Sequence, residues 1–307
     1  MRPINKLSTK SLIDSSKLTL DDINSIFCLA QYYKSNSHQK FDFHKNKVAS
    51  LLFFEPSTRT KSSFELAAKK LGITTLSLDT SNSSIKKGES FIDTVETYIE
   101  LETDCFIIRH QLSGACDFIS KNTSSIFINA GDGKHDHPTQ GLLDAFTLKE
   151  IFPDLSKVNI TIIGDISQSR VARTNLNILS ILGANISILA PSTLYPMHVD
   201  FKNINVYKSI NEAVENSNVI MCLRLQNERM DSNALPSTSE FYKYYGLKES
   251  HLIQYPDLLF MHPGPTNYGV ELDIKLKNHK NSLIRKQVNN GLYIRMAVLD
   301  LLLSNLS

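Results

Sequence analysis

Along the chain, short apolar runs alternate with stretches whose apolar positions recur every three or four residues. The runs are VASLLFF (48–54), ITTLSL (73–78), DCFIIR (104–109) and SIFINA (125–130), then KVNITIIG (157–164), NISILA (185–190), VIMCLR (219–224) and LLFMH (258–262). Strands that are continuously apolar, rather than alternating, suit a parallel sheet covered on both faces. Helical spacing marks Leu20, Ile23, Phe27 and Ala30, with Asp21 and Asp22 suited to a first turn, and Phe64, Ala67, Ala68 and Leu71. It recurs around Phe91 to Leu101 and from about Val171 to Leu182. The pattern predicts an α/β fold of two doubly wound parallel-sheet domains. A helix of about 138–151 lies between the two series, and a last one carries Val288, Leu292, Met296, Leu299 and Leu303. These two helices are predicted to join the domains.

Composition narrows the class. A chain of 307 residues suits two domains of ordinary size. Lys plus Arg (33) nearly balances Asp plus Glu (31), so overall charge points to no nucleic-acid partner and no membrane surface; attraction for anions has to be local. Cys28, Cys105, Cys116 and Cys222 show no C-x-x-C spacing, which argues against a zinc site or a disulfide framework and for packing roles in reduced form. The start, MRPINKLSTKSLID, has no signal-like apolar core, and no stretch approaches the roughly 18 apolar residues of a membrane span, so a cytoplasmic protein is expected.

Ligands of open α/β sheets bind beyond the carboxyl ends of the strands. Here those ends are polar. VASLLFF runs through Glu55-Pro56 into Ser57-Thr58-Arg59-Thr60, where a helix begins. A helix N-terminus with hydroxyls and a guanidinium suits a phosphate; the alternative is an ordinary N-cap beside a solvated arginine. DCFIIR ends in Arg109-His110, and SIFINA leads through Gly131-Asp132-Gly133 to His137-Pro138-Thr139-Gln140. In the second series, Arg170 and Arg224 are strand-end arginines able to pair bidentately with carboxylates. Gly164 follows a strand without the rest of a G-x-G-x-x-G pattern, so a dinucleotide site is not supported, nor is a Walker P-loop. Lys86-Lys87, in the Ser/Asn-rich stretch DTSNSSIKKGES (79–90), reads by itself as a solvated pair.

Taken together, FFEPSTRTKSSFE, SSIKKGES, Arg109-His110, NAGDGKHDHPTQGLLD, GDISQSRVARTN, LRLQNERM and HPGPTNYGVEL resemble, in order and over essentially the full length, the catalytic chains of the aspartate carbamoyltransferase family. Ornithine carbamoyltransferases share S-T-R-T but typically carry H-P-C-Q, a D-x-x-x-S-M-G segment and H-C-L-P. This chain has HPTQ, Met230-Asp231-Ser232-Asn233 and His262-Pro263-Gly264-Pro265 at those places. Two other readings are a carbamoyltransferase with another amine acceptor and a noncatalytic anion-binding paralogue. Retention of both Arg109 with His137 and Arg170 with Arg224 argues against the last.

The resemblance implies transfer of a carbamoyl group from carbamoyl phosphate to L-aspartate, a step toward pyrimidines, with no metal and no cofactor. It implies a carbamoyl-phosphate-binding domain over 1–137, completed by a C-terminal helix of about 285–307, and an aspartate-binding domain over 138–284 that includes the bridging helix. Ser57, Thr58, Arg59 and Thr60 would hold the phosphate, and Arg109, Thr60 and His137 would act on the carbonyl. Gln140 with the backbone of Pro263 and Gly264 would hold the carbamoyl nitrogen. Arg170 would take the aspartate α-carboxylate, and Arg224 with Gln226 the side-chain carboxylate. Ser84 and Lys87 would reach into a neighbouring subunit's site in a homotrimer. A regulatory subunit or a dihydroorotase partner would be a separate polypeptide. Tyr268 stands where many bacterial members have arginine, and Gln111-Leu112 replaces a proline-containing segment. The loop before Lys87 is one residue shorter than in the enteric form, which leans toward the simpler bacterial type.

Overall fold

The computed structural model of the chain describes residues 2–3, 5–78, 90–195, 204–225 and 237–305. Two compact units emerge, Met1–Leu143 with Asn289–Ser307, and Asp144–Val288. The first unit runs α1 (Leu20–Ser35), β1 (Val48–Phe53), α2 (Thr58–Lys70), β2 (Thr74–Ser77), α3 (Phe91–Glu100), β3 (Cys105–His110), α4 (Ala115–Asn122) and β4 (Ile126–Asp132). Helix α5 (Pro138–Lys149) carries the chain across the division. The second unit continues with β5 (Asn159–Ile163), α6 (Arg170–Ile181), β6 (Asn185–Leu189), β7 (Asn205–Val206), α7 (Ile210–Glu215) and β8 (Val219–Cys222). Then come α8 (Thr238–Tyr245), α9 (Glu249–Gln254), β9 (Leu259–Met261) and α10 (Ile284–Ser304), whose second part belongs to the first unit.

Both sheets are parallel throughout, in the orders β2-β1-β3-β4 and β7-β6-β5-β8-β9. Each starts in its interior and winds outward both ways. The strand order therefore reverses between β1 and β3 in one unit and between β5 and β8 in the other, and such reversals open a crevice at the carboxyl edge. Apolar strands supply the cores: Leu52, Phe106, Ile108 and Phe127 pack with Val95, Cys116 and Ile119 in the first unit. Ile163, Leu189, Ile220 and Phe260 pack with Ala213, Val214 and Leu252 in the second.

The opening helix is fixed by its sequence. Thr19 accepts the Asp22 N–H at 3.1 Å while Asp22 accepts the Thr19 N–H at 2.9 Å, a reciprocal cap. The N-terminal segment adds an edge to the first sheet: Leu12 pairs with Ile128, and Asn129 donates to the Leu12 carbonyl at 2.8 Å. In the second unit, buried Asp144 on α5 accepts Asn175 of α6 at 2.9 Å and Gln287 of α10 at 2.8 Å.

The packing role expected for the cysteines fits Cys105, Cys116 and Cys222, whose thiols burial pushes up in pKa; Cys28 is exposed on α1 and departs from it. Among the described residues no helix is long and apolar enough to cross a membrane, and no cluster of His, Cys, Asp or Glu could hold a metal ion.

Candidate functional site

In the first unit Ser57 to Thr60 and Arg109 lie at the strand-order reversal. Phe53 is paired with Arg109, and the Phe54 N–H donates to the Arg109 carbonyl at 2.8 Å, so the β1 exit and the end of β3 leave the sheet side by side. Ser57 occupies the N-cap position of α2 with φ −160° and ψ 84°, yet its side chain makes no capping hydrogen bond. Thr58 and Arg59 are exposed, whereas Thr60 is buried, and Phe64, Ala67 and Ala68 root the helix in the core. Burying Phe64 alone contributes about 1.5–3 kcal/mol, so the polar first turn sits on a fixed base.

Arg109 is held from two sides. Its Nη1 donates to the Ala130 carbonyl at 3.2 Å, and its Nη2 lies 2.5 Å from Glu55 Oε1. Beside it, His110 accepts the Leu112 N–H on Nδ1 at 3.0 Å, and its ring lies against Phe54 and Phe91 with centroids 5.2 and 5.1 Å away. Burial lowers the His110 pKa and favours the neutral ring.

The loop from β4 to α5 is wired by two buried carboxylates. Asp132 accepts the Gly114 N–H at 2.7 Å and Asn129 Nδ2 at 2.8 Å, and lies 3.1 Å from His135 Nδ1. Asp136 accepts both the N–H and hydroxyl of Ser15, at 2.6 and 2.7 Å, and the His137 N–H at 2.7 Å. At Gly133, with φ +47°, an added Cβ would stand 2.3 Å from the Ser113 hydroxyl oxygen, so a side chain has no room. The loop delivers His137 and Gln140, both buried, to the start of α5, where the Gln140 N–H donates to the His137 carbonyl at 2.8 Å.

In the second unit Ile163 of β5 pairs with Cys222 of β8, and their exits carry Arg170 and Arg224. Gly164 has φ +130°, and a Cβ there would meet the Leu223 carbonyl at 3.0 Å; the glycine serves close approach of two strand exits, not a pyrophosphate. Ser169 caps α6 by accepting the Ala172 N–H at 3.2 Å, and Arg170, its first residue, is buried. Arg224 is half-buried beyond the end of β8. Pro263 and Gly264 follow β9, with the Gly264 N–H donating to His262 Nδ1 at 2.8 Å.

Thus each unit brings its own candidates to one reversal of strand order: Ser57 to Thr60 with Arg109 in the first, Arg170 with Arg224 in the second. Ser84, Lys87 and Gln226 lie outside the described residues. Glu55, Asp132 and Asp136 tether Arg109 and the His137 loop, roles that nothing local in the FFEPSTRT and NAGDGKHDHPTQ motifs marks. Tyr268 packs against the second unit's core, and Leu112 is 64% exposed.

The family model of the aspartate/ornithine carbamoyltransferase carbamoyl-P binding domain matches residues 10–150, and that of the Asp/Orn binding domain matches 156–302. The aspartate carbamoyltransferase catalytic subunit of Pelagibacter ubique is 42% identical over 301 residues, covering 96% of each chain. That of Bradyrhizobium diazoefficiens is 40% identical over 304 residues, covering 98% of this chain and 96% of its own. The crystal structure of aspartate transcarbamoylase from Trypanosoma cruzi in complex with carbamoyl phosphate and aspartate aligns with a TM-score of 0.87 at 25% identity, covering 97% of this chain and 98% of that one. The same enzyme with N-(phosphonacetyl)-L-aspartic acid gives 0.86 at 26% identity and 96% coverage of both. The two-unit parallel α/β architecture is that of a carbamoyl-group transferase. The chain belongs to the aspartate/ornithine carbamoyltransferase family.

Proposed function

We propose that the chain transfers the carbamoyl group of carbamoyl phosphate to the α-amine of L-aspartate, forming N-carbamoyl-L-aspartate and phosphate. The observation that carries this reading is the placement of anion-binding groups at both strand-order reversals, in a chain about 40% identical to aspartate carbamoyltransferase catalytic subunits over nearly its whole length. HPTQ and HPGP at the discriminating positions favour aspartate over ornithine.

Residues 1–137 with the C-terminal helix take carbamoyl phosphate, and residues 138–284 take aspartate. The uncapped first turn of α2, with Ser57, Thr58 and Arg59, holds the phosphate through backbone N–H groups, hydroxyls and guanidinium. The neutral amine attacks the carbonyl carbon, a C–N bond forms, and charge gathers on the oxygen. Arg109, Thr60 and His137 stabilise that charge as preset donors, an arrangement worth about 10²–10³ in rate for each donor. The C–O bond to phosphate then breaks. The departing phosphate accepts the amine proton and leaves as the hydrogen phosphate dianion, so no protein base is required; a pH profile set by one protein side chain through proton transfer would contradict this. Gln140, Pro263 and Gly264 hold the carbamoyl nitrogen, Arg170 the α-carboxylate, and Arg224 with Gln226 the β-carboxylate. Chemistry of this kind calls on no metal and no cofactor.

The working unit is a cytoplasmic homotrimer in which Ser84 and Lys87 complete a neighbour's site, and the product feeds pyrimidine synthesis. Chains carrying Arg59→Ala mixed with chains carrying Lys87→Ala then regain part of the activity after subunit exchange; no recovery despite demonstrated exchange removes the action in trans. The reaction itself is tested with the purified chain, carbamoyl phosphate and either L-aspartate or L-ornithine. Ureido product from aspartate alone is expected. Product from ornithine overturns the acceptor assignment, and none from either overturns activity of the chain on its own.

A further inference from the structure

Glu271 is the next-to-last residue of the HPGPTNYGVEL segment and is 2% exposed. Its Oε1 accepts the Leu225 backbone N–H at 2.9 Å and Asn267 Nδ2 at 2.9 Å, and its Oε2 accepts the Asn267 backbone N–H at 2.8 Å. His262 stands beside it, with Nε2 3.7 Å from Oε2, and takes the Gly264 N–H on Nδ1. A carboxylate this buried is costly unless donors surround it, and here three N–H groups do.

Those donors belong to two different strand exits. Leu225 follows Arg224 beyond β8; Asn267 closes the turn that begins with Pro263 and Gly264 beyond β9. The two strands are paired only as far as Met221 with Met261. Past that point Glu271 and its hydrogen bonds continue the tie between the two exits.

Resting on the functional reading above, we propose that Glu271 is a positioning residue, which sets the spacing between Arg224, the grip on the acceptor's side-chain carboxylate, and the Pro263-Gly264 turn, the grip on the carbamoyl nitrogen. Reacting groups misplaced by about 1 Å lose about 100-fold in rate, so a rigid spacer between two grips matters to turnover without touching substrate.

The test is Glu271→Gln, which keeps the shape but turns an NH2 toward an N–H donor. The KM for L-aspartate is expected to rise about tenfold, the cost of a charge-assisted hydrogen bond, kcat to fall as the two grips lose their spacing, and the inhibition constant of succinate, a simple dicarboxylate, to rise with KM. Inhibition by inorganic phosphate, held by residues 57–60, stays unchanged. A purely structural role would lower the active fraction and leave KM and the succinate constant alone, and that result overturns the proposal. Should Glu271→Gln fail to fold, Asn267→Ala removes one donor and leaves the carboxylate tied to Leu225; a rise of about threefold in the same two constants is expected, and none overturns the proposal. Wild-type chain run alongside separates the two levels. If it makes no ureido product from aspartate, the functional reading fails; if it does and Glu271→Gln behaves identically, only the spacer fails.

Discussion

The junctions β1 to α2 and β5 to α6 occupy equivalent places in their sheets, each leaving the strand next to a reversal of order, and each opens its helix with Ser then Arg or Thr-Arg. They solve the helix-start problem in opposite ways. Ser169 caps α6 with its own side chain, and the adjoining Arg170 is buried. Ser57 leaves α2 uncapped, and Thr58 and Arg59 face solvent. A capped helix start has one fewer donor to offer, so recognition there falls to the guanidinium; an uncapped one keeps its N–H groups and dipole for an anion. The acids at the two junctions differ likewise. Glu55 holds Arg109, whereas Asp165 accepts the Gln168 N–H of its own loop at 2.9 Å.

The largest test of this contrast is Arg59→Ala. Loss of a charged donor at the open junction is expected to lower kcat by about 10³, with an unfolding midpoint near that of wild type because the side chain is exposed. Near-normal kcat/KM in steady-state assays would return Ser57 to Thr60 to the status of an ordinary helix start. Glu55→Gln comes next: with the guanidinium of Arg109 still held by the Ala130 carbonyl but not by a carboxylate, kcat should fall about tenfold. An unchanged kcat would mean that Arg109 does not depend on Glu55 for its placement.

The contrast sharpens with a matched pair. Ser169→Ala removes a real cap and is expected to cost about 1 kcal/mol in urea unfolding, while Ser57→Ala should cost only a few tenths and instead weaken carbamoyl phosphate binding. Equal stability losses in the two variants would show that the junctions are alike after all.

How much of this was readable beforehand follows physical lines. The interior strands and the helices α1, α2, α3, α5, α6 and α10 are written in apolar runs and helical spacing, because burial on both faces leaves little freedom of composition. Helices α4, α7, α8 and α9, of 8, 6, 8 and 6 residues, are too short to show a period, and β7 is a two-residue exposed edge. The pairing of Leu12 with Ile128 depends on contact across the fold and leaves no local mark. At the site the same division holds. Arg59, Arg109 and Arg170 stand out as cations at strand ends, but an uncapped Ser57 and a capping Ser169 look identical in sequence, and the tethers Glu55, Asp136 and Glu271 are visible only once their partners are placed.

The smallest expected effect concerns protons at the first unit's site, where two histidines are perturbed in opposite senses. His135 is raised in pKa, chiefly by its hydrogen bond to Asp132, with Asp136 and Asp14 adding attraction. Its folded value lies above the ordinary 6.5, so its contribution to stability is complete below that value and disappears as pH rises through the raised one. His110 is lowered by burial; its contribution is complete above 6.5 and is lost as pH falls through the lowered value. Urea midpoints measured across about pH 5 to 8 should therefore bow gently, with both flanks falling. His135→Asn should flatten the alkaline flank and His110→Phe the acid one. If His135→Asn instead left the alkaline flank unchanged, Asp132 would be holding its loop through the Gly114 N–H and the Asn129 amide without help from the imidazolium, which would have no part in fixing the segment that presents His137.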